Sequence, residues 1–387
     1  MSCSSWLGVA GLVLASCKFP PPPDVDFEDG AVDAPGGADD ARCEGDDFGF
    51  VVSNIAPCEI PAPTGALDLS DIVSIDTTSG TMTTRGNVTI PIPGSALRNQ
   101  GNGTMVRVVA ARSFTIPAGE GVRATGTYPL AFFIHGDVSI LGALSVAAYG
   151  ALPTPAPAGA NSTCGLGSGS AGGGASSAYG GGGGGGAFGA AGGEGGNGNL
   201  QAGGAAGEPL TTPSHTPLRG GCAGSPGNAG ATAGGGGGAL QISAGGTIAI
   251  MGTVSASGGG GGSAPGSGGG GGGSGGMIVL ESATSVTGTG QLTANGGGGG
   301  GGTCAGVPPS VGLDGSTNSA LRASGGGSCR FGGDGGAQAN PAGGNGAPGA
   351  SGQAGGGGGG GVGLIWVRTS AHTFNGTASP SLRTLPL

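Results

Sequence analysis

Between Phe48 and Val146 short apolar runs alternate with polar residues: VRVVA from Val106, SFTI from Ser113, PLAFFI from Pro129 and DVSI from Asp137. Their Val, Ile, Phe and Thr content, their period of two and the Gly or Pro between them are strand signals, and no period of 3.6 competes with them. The pattern predicts an all-β body.

A longer pattern of the type V-x-I-x-G-x-L-x-V recurs along the chain. It runs through Val138, Ile140, Gly142, Leu144 and Val146, and again through Ile248, Ile250, Gly252, Val254 and Ala256. A third copy follows Val286, Gly288, Gly290, Leu292 and Ala294, and a fourth Phe374, Gly376 and Ala378. Each copy follows a further apolar run: LAFFI at Leu130, ALQIS at Ala239, MIVLE at Met277 and LIWVR at Leu364. Repeated units of two or three short strands with a glycine corner are what stacked rungs of a parallel β-helix (a β-solenoid) require. Unrelated hairpins in a β-sandwich are the competing architecture.

Long inserts separate the copies and carry a different period. Glycine stands at every third position from Gly180 to Gly198, from Gly221 to Gly230 and from Gly343 to Gly361. Three residues per turn is the polyproline II repeat, and a face without side chains lets neighbouring segments approach closely enough to bond backbone to backbone. The chain therefore reads as an all-β parallel β-helix interrupted by polyproline or polyglycine II inserts. Flexible linker without fixed structure is the alternative for the inserts.

The expected organisation is a signal segment at 1–17, a proline-rich acidic stalk at 18–47, a first β-helical part at 48–150, a glycine-rich insert at 151–237, further rungs at 238–295, a second insert at 296–361 and a last rung at 362–387.

Composition narrows the function. Of 387 residues 102 are glycine, so a conventional side-chain core cannot run through the whole chain. Ten acidic residues and one arginine between Asp24 and Asp47 give a local charge of −9, equal to the net charge of the chain. That block reads as a solvated stalk. A calcium loop around Asp24, Asp26, Glu28 and Asp29 fails, because Gly30 comes one place late and Pro35 stands where the bidentate glutamate belongs. With 12 Lys and Arg in all, there is no basic footprint for nucleic acid.

The N-terminal MSCSSWLGVAGLVLASC has an apolar run, Trp6–Ala15, that is too short to span a bilayer and fits a secretory signal. Its end, Leu14-Ala15-Ser16-Cys17, resembles the bacterial lipobox. The resemblance implies lipidation at Cys17, hence export, a membrane partner through an N-terminal lipid anchor, and an outer-membrane or cell-surface location. Cys43, Cys58, Cys164, Cys222, Cys304 and Cys329 remain, an even set suited to an oxidising compartment. Nearest-neighbour disulfides are expected, although six cysteines permit fifteen pairings. No C-x-x-C spacing or gathered histidines suggest zinc, and no cofactor is expected.

No serine or cysteine elbow accompanies His135, His215 and His372, so no triad assembles. For a carbohydrate-active β-helix enzyme the candidates by position are Asp137, Arg107, Arg112 and Arg123, which read more simply as outward strand or turn residues. The β-roll calcium repeat fails at Asn197 and Asn199, and no G-K-[ST] completes a P-loop.

The signal with its lipobox, the DVDFEDGAVDAPGGADDA stalk, the SFTIPAGEGVRATGTYPLAFFIHGDVSILGALSV block and GGGGGGAFGAAGG together resemble glycine-rich lipoproteins of myxobacteria and related deltaproteobacteria, often labelled PE-PGRS-like. The resemblance implies no catalytic residues. The inserts alone are similar to the glycine-rich helical bundles of a springtail antifreeze protein and of some phage adhesin tips. The expected function is a lipid-anchored structural or adhesive surface protein without catalytic activity, with polysaccharide or another cell surface as the partner. A polysaccharide lyase or hydrolase, or an ice- or glycan-binding module, are the alternatives.

Overall fold

The computed structural model describes residues 43, 47–150, 155–160, 164–169, 179–199, 201–317, 321–327 and 329–387. Cys17, the signal segment, nearly all of the acidic stalk and the calcium-loop candidate lie outside the described residues. The described residues belong to one compact unit, Arg42–Leu387. The chain is nearly all β, with 31% strand and 3% helix and a large parallel sheet curled into a half-barrel.

The strands begin with β1 (Thr64–Asp68), β2 (Ile72–Asp76), β3 (Thr81–Thr84), β4 (Thr89–Pro91) and β5 (Ser95–Asn99), then a long β6 (Met105–Ile116) and β7 (Gly121–Thr125). Groups of three follow. These are β8 (Leu130–Ile134), β9 (Val138–Ile140) and β10 (Ala143–Ser145); β11 (Ala239–Ala244), β12 (Ile248–Ile250) and β13 (Thr253–Ser255); β14 (Met277–Ser282), β15 (Val286–Gly288) and β16 (Gln291–Thr293); and β17 (Leu364–Thr369), β18 (His372–Phe374) and β19 (Thr377–Ser379). β20 (Arg383–Leu385) is last.

The groups lie side by side in parallel columns. β8, β11, β14 and β17 form one, β9, β12, β15 and β18 a second, and β10, β13, β16 and β19 a third. The four copies of the sequence pattern are thus adjacent in space. Register places like on like: Phe132 beside Ile242, Leu280 and Val367; Val138 beside Ile248 and Val286; Leu144 beside Val254 and Leu292. All of these are buried in one apolar cluster. A one-residue slip would turn each inward row outward, so the burial itself selects the register.

The N-terminal part differs from a simple series of rungs. The VRVVA and SFTI runs are one continuous strand, β6, whose first half pairs with β8 and whose second half pairs with β9. It therefore joins two columns into one sheet. Antiparallel pairs, β2 with β3, β3 with β4, and β5 with β6, close this end. Such pairs need only short turns, and Gly80, Asn87, Gly101 and Gly103, all at positive φ, supply them.

The inserts leave after the third strand of a group and return at the first strand of the next. Their segments pair through the backbone with a period of three. Along 355–361, Gly355, Gly358 and Gly361 donate to Gly180, Gly183 and Gly186; Gly356 and Gly359 to Ala347 and Gly344; Gly357 and Gly360 to Gly300 and Gly297. The carbonyls of the same seven residues accept from Gly269, Gly272 and Gly275, from Gly196 and Gly193, and from Gly333 and Gly336, all bonds lying at 2.7–3.0 Å. Every N–H and C=O of this buried stretch is satisfied by six surrounding segments. A Cβ at any of the seven would come closer than 3.0 Å to a backbone carbonyl oxygen. Glycine is required there by close approach rather than by turn geometry.

Cysteines pair at disulfide distance as nearest neighbours in sequence: Cys43 with Cys58, Cys164 with Cys222 and Cys304 with Cys329, with Cα separations of 4.4, 5.4 and 6.3 Å. The second pair ties the 164–169 turn to a glycine segment, and the third lies beside the Gly302–Arg330 bridge. Ordering a residue costs about 1–2 kcal/mol of backbone entropy, whereas a hydrogen bond returns about 0.5–1.5 kcal/mol net. Glycine segments alone are therefore near balance, and the apolar columns and cross-links hold them in place.

Gly358→Ala is expected to lower stability by about 1–3 kcal/mol through overpacking against a carbonyl that cannot withdraw. Gly121→Ala, with nothing within 4 Å of its Cβ, should be neutral or slightly stabilising. Chemical denaturation of both variants checks the difference.

Candidate functional site

The first strands of the groups are buried on both faces, throughout β8, β11 and β14 and over the first four residues of β17. Their second face carries Phe133, Val279 and Trp366, and the segment containing Phe48, Val52, Ile55 and Ile60 covers it together with Leu218. At the far end of this face the row turns polar: Ser243, Glu281 and Arg368 stand side by side in register.

Glu281 is fully buried. Its Oε2 accepts from the Ser53 N–H at 3.1 Å, from Gln241 Nε2 at 3.0 Å and from Ser243 Oγ at 2.7 Å, while Oε1 pairs with the Arg368 guanidinium. Arg368 also donates to Ser53 Oγ at 2.7 Å. Gln241 completes the knot by donating to Ser53 O at 3.0 Å and accepting from Asn54 Nδ2 at 2.8 Å. A buried carboxylate is tolerated only when its charge and lone pairs are matched, and here they are. The cluster pins the covering segment at Ser53 and Asn54. His215 sits against it, its ring 5.7 Å from that of Trp366, and Arg383 stacks on Trp366 at 5.3 Å. Burial, reinforced by Arg368 and opposed by Glu281, holds the His215 pKa below its ordinary 6.5.

Two adjoining clefts open beside the cover. One, of about 700 Å³, is lined by Asn54, Glu59, Asn99 and Asn102. The other, of about 570 Å³, is lined by Thr104, Thr127, Tyr128, Pro129 and Arg219, and both share Gln100 and Pro217. Gln100 clamps the Leu218 backbone, its Oε1 accepting from Leu218 N at 2.7 Å and its Nε2 donating to Leu218 O at 3.0 Å. That clamp sets the position of Arg219, whose guanidinium lies 5.8 Å from the centre of the Phe188 ring.

Of the residues singled out by position in the sequence, Arg112 and Asp137 lie on adjoining backbone, Gly136 N donating to Arg112 O and Phe114 N to Asp137 O, while Arg107 stands five residues earlier on β6 and Arg123 on β7. Arg107 donates to Thr77 O at 3.0 Å and Thr78 O at 3.1 Å, and burial lowers its pKa. Arg123 stacks on Tyr149 at 4.7 Å, Arg112 is exposed, and Asp137 Oδ1 accepts from Thr247 N at 2.7 Å. His135 packs on Phe48 at 4.9 Å, and His372 is exposed. Arg107, Arg123, Asp137 and His135 each hold a turn, a loop or a ring in place. Among the described residues no three His, Cys, Asp or Glu side chains gather as a metal site, and no helix is long and apolar enough to cross a membrane.

Glu281, Arg368 and Arg219 were not singled out in the sequence. A signal for the first two existed: ALQIS, MIVLE and LIWVR end on Ser243, Glu281 and Arg368 at the same place in the repeat. No protein-family model, curated protein or solved structure matches the chain.

Arg368→Ala should cost about 3–5 kcal/mol, because it strands a buried carboxylate. Equilibrium unfolding at pH 7 measures it. Since His215 binds its proton less readily folded than unfolded, its stabilisation is complete above 6.5 and declines as pH falls through that value. Melting scans from pH 8 to 5 should show this loss reduced in His215→Asn.

Proposed function

We propose that this is a lipid-anchored cell-surface protein with a structural or adhesive role, in which the columns act as a β-helical rod and the inserts as a polyglycine II plate. Cys17 carries the anchor and the acidic stalk spaces the body from the membrane. The observation that supports this reading most is the stretch 355–361, whose backbone groups are all bonded to six surrounding segments. Such a lattice has no side chains to rearrange and no exposed backbone for a protease to grip, which suits a load-bearing exterior element. The cysteine pairs at disulfide distance agree with an oxidising exterior.

Expression in a bacterial host with radiolabelled palmitate tests the anchor. Wild-type chain should take up label and partition with membranes, and Cys17→Ala should do neither. Labelling of the variant, or membrane retention without label, would overturn the anchor. Hydrogen exchange on the released body should leave the amides of 355–361 among the slowest in the molecule.

A further inference from the structure

We propose that the cleft at Arg219 is a binding site for an anionic saccharide, with the guanidinium taking the sugar's carboxylate. The inference concerns this cleft alone and does not depend on how the chain is anchored.

Arg219, like Arg123 and Arg383, packs on an aromatic ring without an ion pair or side-chain hydrogen bond among the described residues, and of these three it alone lines this cleft. Arg85, Arg98 and Arg368 pair with glutamates; Arg107 and Arg322 donate to carbonyls; Arg330 donates to Gln353. Arg219 has an aromatic ring behind it and forms no ion pair among the described residues, and its Nε is buried without a hydrogen-bond partner. Desolvation is the cause of its lowered pKa, with no carboxylate raising it. Among the described residues no acidic side chain lines the cleft. A half-buried, unmatched cation lining a cleft carries a desolvation cost that an incoming anion would offset.

The rest of the lining selects the kind of anion. A single guanidinium offers one planar fork, the match for one carboxylate. A phosphate monoester carries nearly two charges, and among the described residues no lysine or second arginine lines the cleft to meet them. The walls are flat and apolar at Pro129, Pro217 and the Tyr128 ring, with hydroxyls at Thr104 and Thr127. Flat apolar walls suit the C–H face of a pyranose and hydroxyls suit its rim. A volume of about 570 Å³ lies within the roughly 300–1,000 Å³ of small-molecule sites. Gln100 holds the Leu218 backbone on both sides, which fixes the chain next to Arg219, and the Phe188 ring backs the guanidinium.

Calorimetric titration of the purified chain with digalacturonate, a neutral galactose disaccharide, inorganic phosphate and tetraglutamate tests the proposal. Digalacturonate should bind with a Kd on the order of 1 mM. Arg219→Gln should weaken it at least ~10-fold at unchanged melting temperature. Should that variant not fold, Arg219→Lys retains the charge without the fork and is expected to weaken binding several-fold. Absence of digalacturonate binding, equal affinity in the substituted chain, or tighter binding of the neutral sugar, phosphate or peptide would each overturn the assignment.

Discussion

Close approach between backbones, possible only where no Cβ intervenes, is the constraint on which the molecule depends. Around Gly358 the neighbouring carbonyls occupy the space that any side chain would need. The three-residue period points successive N–H groups in three directions, so one segment can bond to several neighbours at once instead of to two flanking strands. The stretch 355–361 carries this to completion, with three sets of donors and three of acceptors. The lattice contains little apolar surface, so the hydrophobic effect contributes little to it. Its ordering entropy must be offset elsewhere.

The offset comes from the way inserts and columns share a chain. Gly238, Gly276 and Gly363 bond to Val146, Ala256 and Ala294 where each insert rejoins the columns, next to the first residues of β11, β14 and β17. A slip in a column would reverse its buried rows, and the same slip would bring a wrong residue against a carbonyl in the lattice. The period of two and the period of three thus constrain each other. Two of the cysteine pairs, Cys164–Cys222 and Cys304–Cys329, add links within the glycine-rich inserts.

The polar knot at Glu281 belongs to the same logic. Columns stack equivalent repeat positions, so Ser243, Glu281 and Arg368 meet because they occupy the same place in successive copies. The knot then recruits Ser53 and Asn54, residues nearly two hundred places or more away, and seals the second apolar face. The repeat made the first part of this cluster legible, since three runs ending on Ser, Glu and Arg can be aligned by eye. The partner segment carries no comparable signal: residues 48–60 have no strand period, and their role is fixed by the face they cover.

By itself the chain determined its local choices. Alternation of Val, Ile and Phe with polar residues specified strands, the glycine corners specified where each copy turns, and glycine at every third place specified segments able to touch without side chains. Those are properties of neighbouring residues, and neighbouring residues are what a sequence displays. Only the tertiary structure decided that β6 joins two columns, that antiparallel pairs close one end, which segments surround 355–361, and that Arg219 faces a cleft without an acidic partner. Each of these depends on which remote surfaces come together, a matter of burial and bonding between segments far apart along the chain, for which no local pattern exists.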